Sequence, residues 1–256
     1  MFLRPAYCWD CRGRRRRNRI AVTALVFIIA VGALAHSHAQ PARTRTARTR
    51  AAAAAHARGK AARAAAPSPP SQATPAGQHL NWTDFHGIQL PVSPAAGPRD
   101  ASGGLASGFT DTPDGALLAA INIGVRTAAQ WGPKVFVPTI TRQVTGPGAA
   151  ALLRAETSAY ATLRAAAHVP AGQPAGRGYA AEVAYRIDAW TPAAATADVV
   201  SSGPGSDGTT VLAATRIEVL WLHGDWRVLA PPGGNWAAAA VAISSLTGYT
   251  IFPGER

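Results

Sequence analysis

The hydrophobic period of this chain changes once, and the change restricts its fold more than any other feature. Up to about Ala167 apolar residues recur at helical spacing, and from Tyr179 onward they alternate. Thr112-Pro113 supplies an N-cap and a proline at the first helical position. Leu117, Leu118, Ile121, Val125 and Ala128 then form one stripe, with Asn122, Arg126 and Gln130 expected on the opposite, wet face. Gly132-Pro133 starts a second helix with Val135, Phe136, Ile140 and Val144; after Gly146-Pro147-Gly148 a third runs to about Ala167 with Leu152, Leu153, Tyr160 and Leu163. Beyond Tyr179, Val183, Tyr185 and Ile187 alternate with Glu182, Arg186 and Asp188, which predicts a half-wet strand. A short strand over Thr196–Val200 and a long one over Val211–Trp221 follow, and His223-Gly224-Asp225 turns the latter into Trp226–Leu229 as a hairpin. The segment before the helices, 82–110, reads as an irregular arm, and the Ala-rich 236–247 as a last helix. Helices first and strands after predict an α+β domain with helices on one face of an antiparallel sheet.

Charge divides the chain differently. Residues 1–79 hold fourteen Arg/Lys against the single acid Asp10, whereas residues 80–256 hold eleven against twelve acids. The net +12 therefore belongs to a tail and not to a basic domain, so nucleic acid is not an expected partner. Within the tail, Ile20–Ala35 is a charge-free apolar run, and extension through Ala39 reaches the length that spans a bilayer. Seven arginines precede it, and four lie in the fifteen residues after Gln40, a bias that places the N-terminus in the cytoplasm. Ala33-Leu34-Ala35 and Ser37-His38-Ala39 also resemble signal-peptidase sites, so a cleaved signal stays open beside a retained anchor. Either route sends the C-terminal domain outside.

Residues 40–79 contain no large apolar residue, only Arg-Thr repeats, Ala/Arg runs and PSPPSQATP, and they read as a disordered linker. The expected organisation is a cytoplasmic tail 1–19, a membrane helix 20–39, a linker 40–79 and an extracytoplasmic domain 80–256.

Candidate chemistry is sparse. Cys8 and Cys11 form one C-x-x-C pair, half of a four-ligand zinc site, with no second pair. Gly203 to Gly208 matches G-x-G-x-x-G, but a strand instead of a helix follows, so a strand-connecting loop is expected. His79, His86, His168 and His223 show no metal-ligand spacing and read as loop residues. Asn81-Trp82-Thr83 is a coincidental sequon in a composition of bacterial character. Glu182, Asp188 and Asp225 are the carboxylates available for a general base, with Glu182 and Asp188 placed by alternation on the solvent face. No catalytic, cofactor or metal residue is assigned, and the chain is not expected to be an enzyme. Six tryptophans lie in 80–256. Strand parity puts Trp221 in the core and Trp190 outside as a candidate partner contact.

The layout of basic tail, single apolar run, linker and external domain resembles the single-pass scaffold subunits of type IV secretion and conjugation machines. The resemblance implies an external domain of the nuclear-transport-factor-2-like or cystatin-like roll type, with helices on a curved sheet. It also implies partners among other envelope-complex proteins, with homo-oligomers possible. The segment Gly108 to Ala120 (GFTDTPDGALLAA) is similar to one in uncharacterised proteins of GC-rich Gram-positive bacteria. The expected function is assembly of a cell-envelope transfer complex. The alternatives are a small-ligand binder or isomerase-like enzyme using the sheet concavity, and a wall-binding module gripping anionic polymer through linker arginines.

Overall fold

A computed structural model describes residues 80–205 and 208–253. The tail, the Ile20–Ala39 run, the linker and Cys8 and Cys11 lie outside these residues. Three helices, α1 (Pro113–Arg126), α2 (Pro133–Gln143) and α3 (Ala149–Ala167), pack with a mostly antiparallel sheet, so the chain is α+β. A hairpin, β1 (Asn81–Phe85) with β2 (Ile88–Val92), precedes them. The sheet comprises β3 (Val144–Thr145), β4 (Ala181–Thr191), β5 (Ala194–Pro204), β6 (Thr210–Leu222), β7 (Asp225–Leu229), β8 (Ala240–Ile243) and β9 (Thr250–Ile251). Its order is β3-β7-β6-β5-β4-β9, with β8 paired to the β7 edge of β6 at the other end of that long strand. Among the described residues, only the β3–β7 pair is parallel. Among the described residues, no helix is long and apolar enough to cross a membrane.

The start of α1 follows the sequence closely. Thr112 Oγ1 accepts a hydrogen bond from the Gly115 amide at 3.1 Å, and Pro113 occupies the first turn. Gly115 is required there, because a Cβ would sit 2.0 Å from the Thr110 carbonyl oxygen. The rest of α1 corrects the expected wet face, since every residue from Gly115 to Arg126 is buried, as is Gln130 beyond it. The sheet covers one side of α1, and the arm covers the polar side. Asn122 Nδ2 donates to the Pro91 carbonyl at 2.9 Å, and the Phe85 ring lies 4.3 Å from the Arg126 guanidinium carbon. The arm is thus ordered around a hairpin, with Ile88, Leu90 and Phe109 buried in the main core.

The main core lies between the helices and one sheet face. Trp131, Phe136, Leu118, Ile121 and Ile123 meet Tyr185, Val199, Ile217, Val219, Trp226 and Val228 there. Trp226 is fully buried and pairs across strands with Trp221, their rings 5.2 Å apart and near perpendicular. Trp221 packs on the core but remains half-exposed, so Trp226 is the true core anchor of this hairpin.

Two elements depart further from expectation. The segment 236–247 is not a helix: it gives one 3-10 turn, Trp236–Ala238, and then β8, registered against Leu212–Thr215. The edge of β6 left open beyond β7 offers hydrogen bonds that override alanine's helix preference. Val144, expected on the second helix, begins β3.

Candidate functional site

Beta-bulges at both ends of β4 decide which side chains share a site. Register shifts fall between Glu182 and Ala184 and between Ile187 and Ala189. Each adds one unpaired residue and reverses the alternation beyond it. The middle of the strand keeps the expected parity, with Tyr185 and Ile187 toward the helices and Arg186 on the far face with Asp188. Beyond the first bulge Glu182 turns inward. It is 1% exposed, opposite Ser201, whose hydroxyl donates to Glu182 Oε2 at 2.7 Å. Beyond the second, Trp190 turns to the core side, where it is half-buried with its indole N–H shielded and unpartnered. Simple alternation therefore misplaces both Glu182 and Trp190, for one physical reason.

On the sheet face away from the helices, β4, β5 and β6 set charges side by side. Asp198 on the central strand faces Arg186 on one side and Arg216 on the other in register. Arg186 donates to Asp188 and Asp198, and Arg216 donates to both carboxylates too, with its Nε 3.0 Å from Asp198 Oδ1. Tyr249 lies beneath Arg186, 4.8 Å from ring centroid to guanidinium carbon. Asp198 is buried beneath half-exposed Arg186 and exposed Arg216; the pKa of Arg186 is raised first by its hydrogen bond to Asp188, and that of Arg216 by its hydrogen bond to Asp198.

A groove of about 550 Å³ opens beside this network. Asp198, Arg216 and Glu218 form its sheet wall together with Ala214. The opposite wall is the β7–β8 connection, notably Pro231, Pro232, Trp236 and Ala238, together with Val241 of β8. That connection is held rigidly. Trp236 Nε1 donates to Thr127 Oγ1 at 3.0 Å, and Gly234, at φ +70°, packs so tightly on α3 that a Cβ would lie 2.3 Å from the Leu152 amide nitrogen. Glu218 stands exposed at the rim without an ion pair among the described residues.

The other expected candidates have structural work. Asp225 accepts the Gly108 and Phe109 amides at 2.9 and 3.2 Å and its neighbour Trp226's amide at 2.9 Å, which ties the arm to the hairpin. His86, His168 and His223 all adopt positive φ. Two of them precede glycines in hairpin turns and one caps α3, uses that the left-handed tolerance of histidine allows. Gly203 and Pro204 end β5, and β6 begins at Thr210, so a strand and not a helix follows the glycine pattern. No cluster of three potential metal ligands occurs among the described residues.

Sequence reasoning missed two ionisable groups, one buried and one half-buried. Arg126 has no carboxylate partner among the described residues. Its Nη1 donates to the Asn122 carbonyl and side chain at 2.8 and 3.0 Å, its Nε is unpartnered, and burial lowers its pKa to about 10. Glu156 on α3 accepts the Ala129 amide at 2.8 Å, and burial raises its pKa to about 7. Nothing in their spacing distinguishes either from a solvated helix charge, because the arm and the 129–131 turn that bury them come from elsewhere in the chain.

No curated protein and no solved structure matches the chain. Residues 40–251 match a family described as Domain of unknown function (DUF8175), a span that takes in 40–79 as well as the folded domain. The chain belongs to that family.

Proposed function

We propose that the chain is a single-pass membrane-anchored assembly component of a cell-envelope transfer complex, of the conjugation or type IV secretion kind, acting through protein contacts and not through catalysis. Ile20–Ala39 is the anchor, the N-terminus is cytoplasmic, and the folded domain stands outside as a roll of the nuclear-transport-factor-2-like type. The single observation that carries the contact reading is the sheet face away from the helices. It is charged, partly exposed and grooved, whereas the helix side is packed with side chains. Trp190, half-buried at the end of β4 on the helix side of the sheet, is proposed as a separate aromatic contact.

A ligand-binding reading has one specific support, since 550 Å³ falls within the range of small-molecule sites. Deletion of the gene from a donor strain separates the readings. The assembly reading expects DNA or protein transfer to fall and to return with the wild-type chain. It also expects Trp190→Ala to restore transfer only partly while the protein stays folded. Unchanged transfer in the deletion strain would overturn it. A reporter active only outside the cytoplasm should work after Arg256 and fail before Ile20.

A further inference from the structure

The groove beside Glu218 matches a stretch of this same chain. Its walls are small and apolar, with Ala214, Ala238 and Pro231 among them. Of its charges, Asp198 and Arg216 are paired to each other, which leaves Glu218 as the uncompensated one. The complementary ligand is an extended chain of small side chains carrying cations and no acids. Residues 43–63 hold seven Arg/Lys, nine alanines and no acid. We infer that residues 43–63 dock in the groove of their own chain, with an arginine on Glu218 and alanines along the opposite wall.

Reach and concentration favour the intramolecular pairing. The sixteen residues 64–79 span up to about 53 Å when extended. A domain of this size is roughly 40 Å across, so the segment reaches any point on its surface. Covalent attachment keeps it at an effective concentration on the order of millimolar, enough for a weak site to be occupied. Docking shortens the tether and holds the domain in one orientation to the membrane. The remainder of the charged face, around Arg186 and Tyr249, stays open to a partner.

The test uses the full chain, purified in detergent, with a benzophenone amino acid in place of Ala238, an exposed groove residue. On irradiation, the expected product migrates as a monomer and maps by mass spectrometry to peptides from 43–63. The crosslink should disappear in Glu218→Arg and return when arginines of 43–63 are changed to glutamate in that background. A second variant, with 43–63 replaced by Gly/Ser of equal length, leaves the domain untouched and should also lose it. Crosslinks that form only dimers, map elsewhere or survive Glu218→Arg would overturn the inference. The readout needs no partner, so its failure leaves the transfer-complex reading standing, and a failed transfer assay leaves the docking standing.

Discussion

The two faces of the sheet are built on opposite rules. Against the helices, Ile217, Val219, Trp226 and Val228 are all buried, and the polar exceptions Glu182, Ser201 and Asp225 spend their hydrogen bonds within the fold. On the other face the same strands present Arg186, Arg216 and Glu218, and the apolar residues among them form only a small second core around Ala184, Val200 and Ala214. The first face resists change and the second tolerates it. A surface that tolerates change can be shaped for contact without loss of the fold.

Substitutions should expose this division, the largest effect first. Trp226→Ala removes a fully buried ring and its indole hydrogen bond to the Thr110 carbonyl. Chemical denaturation should show a loss of about 3–5 kcal/mol. Asp225→Ala frees the Gly108 and Phe109 amides that anchor the arm. Its cost should be about 2–3 kcal/mol, with the arm exchanging hydrogen faster than β5 and β6. Trp221→Ala, on a half-exposed ring, should cost less than Trp226→Ala by at least about 1 kcal/mol. An equal loss would mean that the hairpin is sealed from both sides.

Glu156 sharpens the comparison through pH. Its pKa is raised to about 7 in the fold from an ordinary 4.5, so folding favours the protonated form. The stability this gives is full below about pH 4.5, falls as pH rises and is lost once pH passes 7. In melts from pH 5 to 8, Glu156→Gln should remove the part of the slope that Glu156 contributes. The smallest effect belongs to the open face, where Val241→Arg at a 61% exposed position should change stability by no more than about 0.5 kcal/mol.

Helix positions and the order of helices before strands were legible because caps, Gly-Pro breaks and period are local signals. The cap Thr112, the break at Gly132-Pro133 and the long alternation over β6 all appear where the residues place them. What was illegible is non-local. No local pattern marks a bulge, so Glu182 and Trp190 changed faces unseen. No property of α1 shows that a hairpin thirty residues upstream will cover Asn122 and Arg126. The 240–243 stretch becomes a strand only because β6 has an open edge there. The groove joins β5 and β6 to a connection nearly forty residues further along the chain, so no motif announces it.

The account places function on the open face and gives the buried carboxylate only a structural task. Its most direct test is transfer efficiency in donor strains whose sole copy carries either Val241→Arg, in the groove wall, or Glu182→Gln, beneath the helices, each verified as folded by its melting transition. The account predicts that Val241→Arg falls toward the deletion level while Glu182→Gln transfers as the wild type does. Normal transfer with Val241→Arg, together with loss in a folded Glu182→Gln protein, would contradict it and move the function to the buried face.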